Sequence, residues 1–367
     1  MTKHNKAYKF RLYPTEKQAY LIRKTFGCVR FVYNKMLAER KEVYETYKEN
    51  KEELKKQKFP TPAKYKVEYE WLKEVDSLAL ANAQLNLQTA YKNFFSGQSD
   101  FPTFKSRKSY TKNRVNGNIM LFHGYIKLPK LKMVRLKQHR EIPQNHIIKS
   151  CTISMTPTGK YYVSVLTEYE KEILQKEVES VVGLDFAMAE LYVSSEDEKA
   201  DYPRFYRQML DRLAKAQRVL ARRVQGSARF NKQRICVAKL HEKVANQRKN
   251  FLHHKSKDLV THFDVVAIED LHMKGMSRAL RFGKSVADNG WRMFTTFLAY
   301  KLQEQGKQFV KIDKWFPSTK MCSRCGNKKE MSLSERTYEC SCGLTISRDY
   351  NAAINIKKEA IRLLALA

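Results

Sequence analysis

The chain has 367 residues, 43% of them hydrophobic, which suffices for two or three domains with their own cores and excludes a disordered polyelectrolyte. Its 70 Lys and Arg against 38 Asp and Glu give a formal charge of +32, far beyond what solubility requires, so a large polyanion, nucleic acid first, is the expected partner. A membrane is not: no stretch approaches the roughly 20 apolar residues of a spanning helix, and the opening MTKHNKAYKFRLYP has no signal-peptide core, so a soluble intracellular protein is expected.

AYKFRLYP alternates Tyr8, Phe10 and Leu12 with Lys9 and Arg11, the period of a half-buried strand, and stops at Pro14. Thr15 and Gln18 then have the spacing of a capping box. From Thr15 to about Phe95 the pattern is that of a helical bundle with a solvated Lys/Glu face, a loop at FPTPAKY and an end at Gly97. The segment FPTFKSRKSYTKNRV interleaves Lys105, Arg107, Lys108, Lys112 and Arg114 with Phe101, Phe104 and Tyr110; it reads as a loop, either simply solvated or set against phosphates. Short β-like runs follow in GNIMLFH, GYIKLP, KMVRLK, IIKSCTISMT and YYVSVLTEYE. They predict a small barrel or sandwich that the opening strand would complete, leaving the helical bundle as an insertion. KEILQKE reads as the linker to the rest.

The second half changes character. ESVVGLDFAMAELYVSS predicts a strand, a bend and a strand, and ADYPRFYRQMLDRLAKAQRVLARRV a basic helix with Leu210, Leu213, Leu220 and Val224 on its apolar face. A second long helix runs to about His262, followed by the strand FDVVAIEDL, a loose loop KGMSRALRFGKSVADNG, the helix WRMFTTFLAYKLQEQG, the strand FVKID, a cysteine segment and the last helix NAAINIKKEAIRLLALA. VVGLD and DVVAIE are continuous apolar runs, as expected of parallel strands buried on both faces, and they finish on Asp185 and Glu269. Sites in open α/β sheets form at the carboxyl ends of strands, so adjacent strands would bring these acids together, and Asp349 at the start of the last helix can supply a third. Singly, each has an ordinary reading as a strand-end turn residue or a helix N-terminal acid. Jointly, three carboxylates need cations between them, and Mg²⁺ with its hard oxygen ligands is the natural one.

Of seven cysteines, Cys28, Cys151 and Cys236 sit apart in apolar or helical contexts and read as buried small side chains. The other four form C-x2-C at Cys322 and Cys325 and C-x-C at Cys340 and Cys342, each pair followed by a glycine. Four thiolates suit a closed structural Zn²⁺ site, although only Ser341 separates the second pair where two residues are usual.

These residues resemble the TnpB family of transposon-encoded, RNA-guided DNA nucleases, ancestral to the type V CRISPR effectors. The likeness runs end to end through KFRLYPTEKQ, GCVRFVYNKML, FPTFKSRKS, GLDFA, YPRFYRQMLDRLAKAQRVLARR, IEDL, NGWRMF, KWFPSTKMCSRCG and SRDYNAAINI. It implies an α/β RNase H-like (RuvC) nuclease core with an inserted zinc-binding element, plus an N-terminal β-barrel wedge domain with an inserted helical bundle. The implied boundaries are 1–13 and 101–172 for the wedge barrel, 14–100 for the recognition bundle, 179–316 and 344–367 for the nuclease core, and 317–343 for the zinc-binding, target-nucleic-acid-binding insertion.

The resemblance also implies catalysis by Asp185, Glu269 and Asp349 with two Mg²⁺, and one structural Zn²⁺ on Cys322, Cys325, Cys340 and Cys342. The implied partners are a guide RNA from the transposon end and double-stranded target DNA beside a short adjacent motif, in a cytoplasmic protein that is nucleoid-associated when bound to DNA. Lys105, Arg107, Lys108 and Arg114 are the expected backbone contacts, and Gln88 and Lys92 the expected contacts near the adjacent motif. NGWRMF departs from the family pattern at Arg292, where a small residue is usual and a larger one could alter a close helix contact; the departure removes no catalytic acid. The competing functions are an RNA-guided DNA-binding regulator without nuclease activity and a guide-independent transposase on the same kind of acidic core.

Overall fold

The alternation of the opening segment becomes strand β1 (Thr2–Tyr13), with Tyr8, Phe10 and Leu12 buried. The computed structural model describes residues 2–106, 112–116, 118–273, 275–276, 283–332 and 334–365. The chain divides into two units, Met1–Glu172 and Ile173–Ala367.

In the first unit β1 joins β2 (Lys112–Asn116), β3 (Met120–Phe122), β4 (Tyr125–Leu128), β5 (Lys132–Lys137), β6 (Ile147–Met155) and β7 (Tyr161–Lys171). They form one antiparallel sheet in the order β2-β6-β7-β1-β5-β4-β3, with β1 held between β7 and β5. Helix α1 (Glu16–Tyr47) starts at the expected capping box, where the Thr15 hydroxyl accepts from Gln18 N and the Gln18 side chain accepts from Thr15 N. Its Ala19, Ile22 and Phe26 pack on the sheet, while Val29, Val32, Tyr33, Met36 and Leu37 form a second core with Leu80, Ala83 and Leu87 of α4 (Ser77–Phe95).

Between α1 and α4 lie α2 (Lys51–Lys56), α3 (Pro62–Glu68) and a 3-10 turn, Glu70–Glu74. Two expectations fail in this unit. FPTPAKY is partly helical, because Pro62 at the first helical position loses no hydrogen bond there. The end of the basic segment is strand β2, paired from Lys112↔Ser154 to Asn116↔Ser150, since the free edge of β6 can take a ladder whatever the side-chain charges.

The second unit is built on a four-stranded sheet in the order β11-β10-β8-β9. β8 (Val181–Ala187), β10 (Val265–Glu269) and β11 (Gln308–Ile312) are parallel, and β9 (Leu191–Ser194) is antiparallel to β8. The strand period of two sorts the residues by face. Val182, Leu184, Val266 and Ile268 enter a core with Leu252, Leu259 and Val260 of α6 (Ala228–His262) and Trp291, Phe294, Leu298 and Leu302 of a later helix. Ala267 and Ile312 pack on the opposite face against Ile356 and Ala360 of the last helix. Helices α7 (Gly283–Asn289) and α8 (Trp291–Glu304) come between β10 and β11, and the last helix is α9 (Arg348–Ala365).

Part of the expected loop before Gly290 is therefore helical, and the expected strand, helix and strand around it stand where the pattern put them. Helix α5 (Phe205–Ala221) buries Met209, Leu213 and Ala216, spaced i, i+4, i+7. Leu210 and Val224, expected on that face, are exposed: Leu210 is one residue off the stripe, and Val224 lies beyond the helix end. KEILQKE is no free linker either. Lys176 N donates to Gly306 O at 2.9 Å and its ammonium pairs with Asp264 at 2.7 Å, which straps the segment to the unit. Arg292 is exposed on α8. Cys28 and Cys151 are buried as expected, but Cys236 is exposed on the solvated side of α6. Among the described residues no helix is long and apolar enough to cross a membrane.

Candidate acid and metal centres

The register Val265↔Val181 through Ile268↔Leu184 puts the next residues, Asp185 and Glu269, side by side where the parallel pairing of β8 with β10 stops; β8 does not finish on Asp185 as expected but runs on to Ala187, paired with β9. With strands about 4.8 Å apart, the two backbones bring their acids to one spot, on the face opposite Leu184 and Ile268. That face is covered by α9, and Gly183 explains how closely. A Cβ there would lie 2.2 Å from Ala353 O and 2.5 Å from Lys357 N, so only glycine lets the helix cross β8 at this depth. The crossing carries Asp349, in the first turn of α9, to the strand ends.

The electrostatics register this convergence. Asp185 is 7% exposed, and its proton affinity is raised well above the usual carboxylate range by burial, then by the charges of Glu269 and Asp349. Burial likewise raises Glu269, against a hydrogen bond donated by the Ser318 hydroxyl. Arg348 is the local counter-charge: its Nε and Nη2 each lie 3.3 Å from Asp349 Oδ1, and its field lowers Asp185. A carboxylate pushed toward protonation by two neighbouring acids has charge that a cation would relieve, so the donor set fits hard divalent ions.

Among the described residues, the four cysteines alone form a group whose ligating atoms all lie within 4.8 Å of one another. The three acids are spread more widely than that. A single-ion cage would need the tighter spacing, whereas a pair of ions about 3.5–4 Å apart takes ligands from a broader ring.

The cysteine centre is closed and more regular. Cys322 and Cys342 sulfurs stand 3.7 Å apart, and those of Cys325 and Cys340 3.5 Å. A tetrahedron with Zn–S bonds of about 2.3 Å has S···S edges of about 3.8 Å, so the four thiols match such an ion. The shortened C-x-C pair reaches because the short antiparallel strands β12 (Thr337–Glu339) and β13 (Thr345–Ser347) bring its turn back, with Gly343 at φ +85°. Burial opposes ionisation of Cys322, but the backbone N–H groups of Cys325 and Arg324, with hydrogen bonds from the Cys340 and Cys325 thiols, bring it down to about 6. The backbone N–H of Cys342 lowers Cys340, whereas Cys325, despite the backbone N–H of Asn327, is pushed up to about 12 by burial and by the other three thiols. The thiolate is the metal-ligating form, and Cys322 and Cys340 are inclined toward it while Cys325 is not.

Three family descriptions match the chain: "Helix-turn-helix domain" over residues 1–49, "Probable transposase" over 164–280, and "Cas12f1-like, TNB domain" over 291–356. The first of these spans β1 and the single helix α1. A Streptomyces pristinaespiralis protein named "Putative RNA-guided DNA endonuclease" is 34% identical over 97% of this chain and 89% of its own length. The "Putative RNA-guided DNA endonuclease InsQ" of Escherichia coli K12 is 30% identical over 96% and 92%. The chain belongs to the TnpB-like family of RNA-guided DNA endonucleases. Its fold is similar to the protein in a cryo-EM structure of a Cas12f1–sgRNA–target DNA complex, with a TM-score of 0.58 at 13% identity over 97% of this chain and 99% of that one.

For a TnpB-like chain the expected nucleic-acid contacts fare unevenly. Gln88 and Lys92, four residues apart on α4, are both exposed and present one outward stripe. Lys105 is half-buried: its backbone exchanges two hydrogen bonds with the Asn34 side chain and its ammonium sits 5.0 Å from the Tyr33 ring centre, so packing already engages it. Arg107 and Lys108 lie outside the described residues. Arg114 is on β2, opposite Thr152. Sequence reasoning passed over Gly183, Ser318, Arg348, Asn351 and Asn355. The signal for the last two was available in NAAIN, where two asparagines at i, i+4 share a helix face among alanines and isoleucines.

Proposed function

We propose that this chain is an RNA-guided DNA endonuclease of a transposon, cutting target DNA beside a short adjacent motif. Its second unit would contain a RuvC-like core of the RNase H type (179–316 and 344–367) interrupted by the zinc-binding insertion (317–343). The first unit would be the wedge barrel (1–13 and 101–172) with its recognition bundle (14–100). The observation that carries the reading is geometric: Asp185 and Glu269 follow the last paired residues of two adjacent parallel strands, and the helix that crosses them brings in Asp349, so that Asp185 is buried and feels the charges of the other two.

Asp185, Glu269 and Asp349 would hold two Mg²⁺, which when bound supply an activated water and stabilise the leaving oxygen of a phosphodiester. The chain's own part is preorganisation. β8 and β10 fix two acids to a rigid sheet, Arg348 sets the local potential against Asp349, and burial of Asp185 strengthens every charge interaction around it. Cys322, Cys325, Cys340 and Cys342 would hold one Zn²⁺ as a structural centre. A guide RNA from the transposon end would read the target by base pairing, with the basic surface holding backbones.

The test is a plasmid library with a guide-matched target and randomised flanks, incubated with Mg²⁺ and protein expressed together with its transposon end. Cutting beside one short motif is expected, together with a specific long RNA that co-purifies. Asp185→Ala should abolish cutting and keep the RNA. Undiminished cutting by that variant would remove the acids from the mechanism. Target binding without cutting by the native protein would favour a regulator, and absence of a specific RNA a guide-independent transposase.

A further inference from the structure

The acid site and the cysteine centre share a buried polar relay. Ser318 is 3% exposed and its hydroxyl donates to Glu269 Oε1. Its carbonyl accepts from Asn355 Nδ2 at 2.8 Å, and the same amide donates to Met321 O at 2.6 Å. One turn earlier on α9, Asn351 donates to Met321 O at 2.7 Å and accepts from Ser323 N at 2.9 Å, so the two asparagines grip the residues on both sides of Cys322. Lys358 donates to Ser323 O from the following turn.

Both asparagines are fully buried, and Asn355 Oδ1 has no hydrogen-bond partner among the described residues. A buried amide that leaves its oxygen unpaired to serve two carbonyls with its nitrogen is oriented by those carbonyls alone. The relay thus joins the third acid's own helix, the first cysteine knuckle and the residue that aims the second acid. Cys322 stands four residues after Ser318, and Asn351 two after Asp349.

We propose that Ser318 is a positioning residue for Glu269 and that the first cysteine knuckle sets it through Asn351 and Asn355, so that metal in the cysteine centre strengthens divalent-cation binding at the acids. The inference rests on the acid site of the proposed function. Hydrogen-bond partners of metal-ligating carboxylates are worth about 10–100-fold in affinity when removed. Coupling of this kind is reciprocal, since each occupied centre favours the relay geometry that the other requires.

The probe is Mn²⁺, titrated by the electron paramagnetic resonance of the free ion into the full chain, either zinc-loaded or stripped of zinc by a chelator that is then removed. Ser318→Ala should weaken Mn²⁺ binding about 10-fold, within the range for such partners. Ser318→Thr, which keeps the hydroxyl, should restore it. Stripping zinc from the unaltered chain should produce a loss of similar size and needs no variant to fold. Stripping Ser318→Ala should add little, because both changes break one relay; independent effects would add.

Unchanged Mn²⁺ affinity in Ser318→Ala, or a zinc effect that adds in full, overturns the proposal. Asp185→Asn separates the two levels. If it abolishes Mn²⁺ binding while Ser318→Ala does nothing, only the relay falls; if it leaves binding intact, the acid site falls as well.

Discussion

At Gly183 a single hydrogen atom decides whether the last helix can reach its place. The backbone of α9 runs so close to β8 that Ala353 O and Lys357 N fill the volume of a missing methyl group. Both neighbours are main-chain atoms of a packed helix and cannot swing aside as a side chain would. Gly183→Ala should therefore cost about 3 kcal/mol, the upper end of overpacking penalties, and should lower the urea midpoint of the second unit. Cleavage should fall with it, because the helix that must shift carries Asp349. Gly27, inside α1 with nothing within 4 Å of its would-be Cβ, provides the opposite sign: Gly27→Ala should stabilise the first unit by about 1 kcal/mol through helix propensity alone. Equal midpoints for the two variants would refute the close-crossing argument. VVGLD announced its acid, because a carboxylate ending an apolar run stands out. Its glycine did not stand out, since the atom it makes room for belongs to a segment 170 residues later. Ser318 was hidden in the same way: PST before a knuckle reads as turn chemistry, and only the fold reveals Glu269 beside it.

Elements were legible where their period was uninterrupted. The long helices, the buried parallel strands and the capping box at Thr15 carry their pattern within a few residues, and those local rules survive packing. Strand β2 did not, because a basic run pairs only when a neighbouring edge is open to it, and the hairpin β12–β13 is too short to show a period. The strap Lys176–Ser180 failed for a third reason: its charges look solvated until Asp264 is placed beneath them. Asp264 accepts from the Lys176 and Lys307 ammoniums, from Ser180 Oγ and from Glu179 N, and its side chain is 4% exposed. The Lys176 bond leads in holding its carboxyl far below the usual carboxylate range. A depressed folded-state value means that the strap's stabilisation is complete above the unfolded value of about 4 and is lost as pH falls below it. Asp264→Asn should thus lower the melting temperature at pH 7, and the gap to the parent should close progressively below about pH 4. A gap that persisted unchanged down to pH 2 would show that the strap is held without the charge.

At the scale of the whole molecule, charge was the most legible property and its distribution the least. A formal +32 predicted a polyanionic partner before any element was placed, because such a charge opposes folding through self-repulsion unless something neutralises it. Which cations face solvent depends on packing. Lys105, the first of the expected contacts, is engaged by Tyr33, whereas Arg212, Lys215, Arg218 and Arg222 of α5 and its end, with Lys232 and Arg234 of α6, are exposed along a helical pair whose buried residues are few. Neutralising phosphates with such side chains releases counterions, and 6–10 contacts cost about 10³–10⁵ in affinity between 50 and 200 mM salt. A chain that holds a guide RNA should sit within or beyond that range. Fluorescence anisotropy of a labelled transposon-end RNA across a salt series should give a log–log slope steeper than about −5. Replacing Arg212, Lys215 and Arg218 together by glutamine should flatten that slope by up to about 3 if all three meet phosphate, and leave it unchanged if the pair is only a solvated face. A parent slope near zero would mean that the basic surface serves something other than a phosphate backbone, and the nucleic-acid reading of the composition would fall with it.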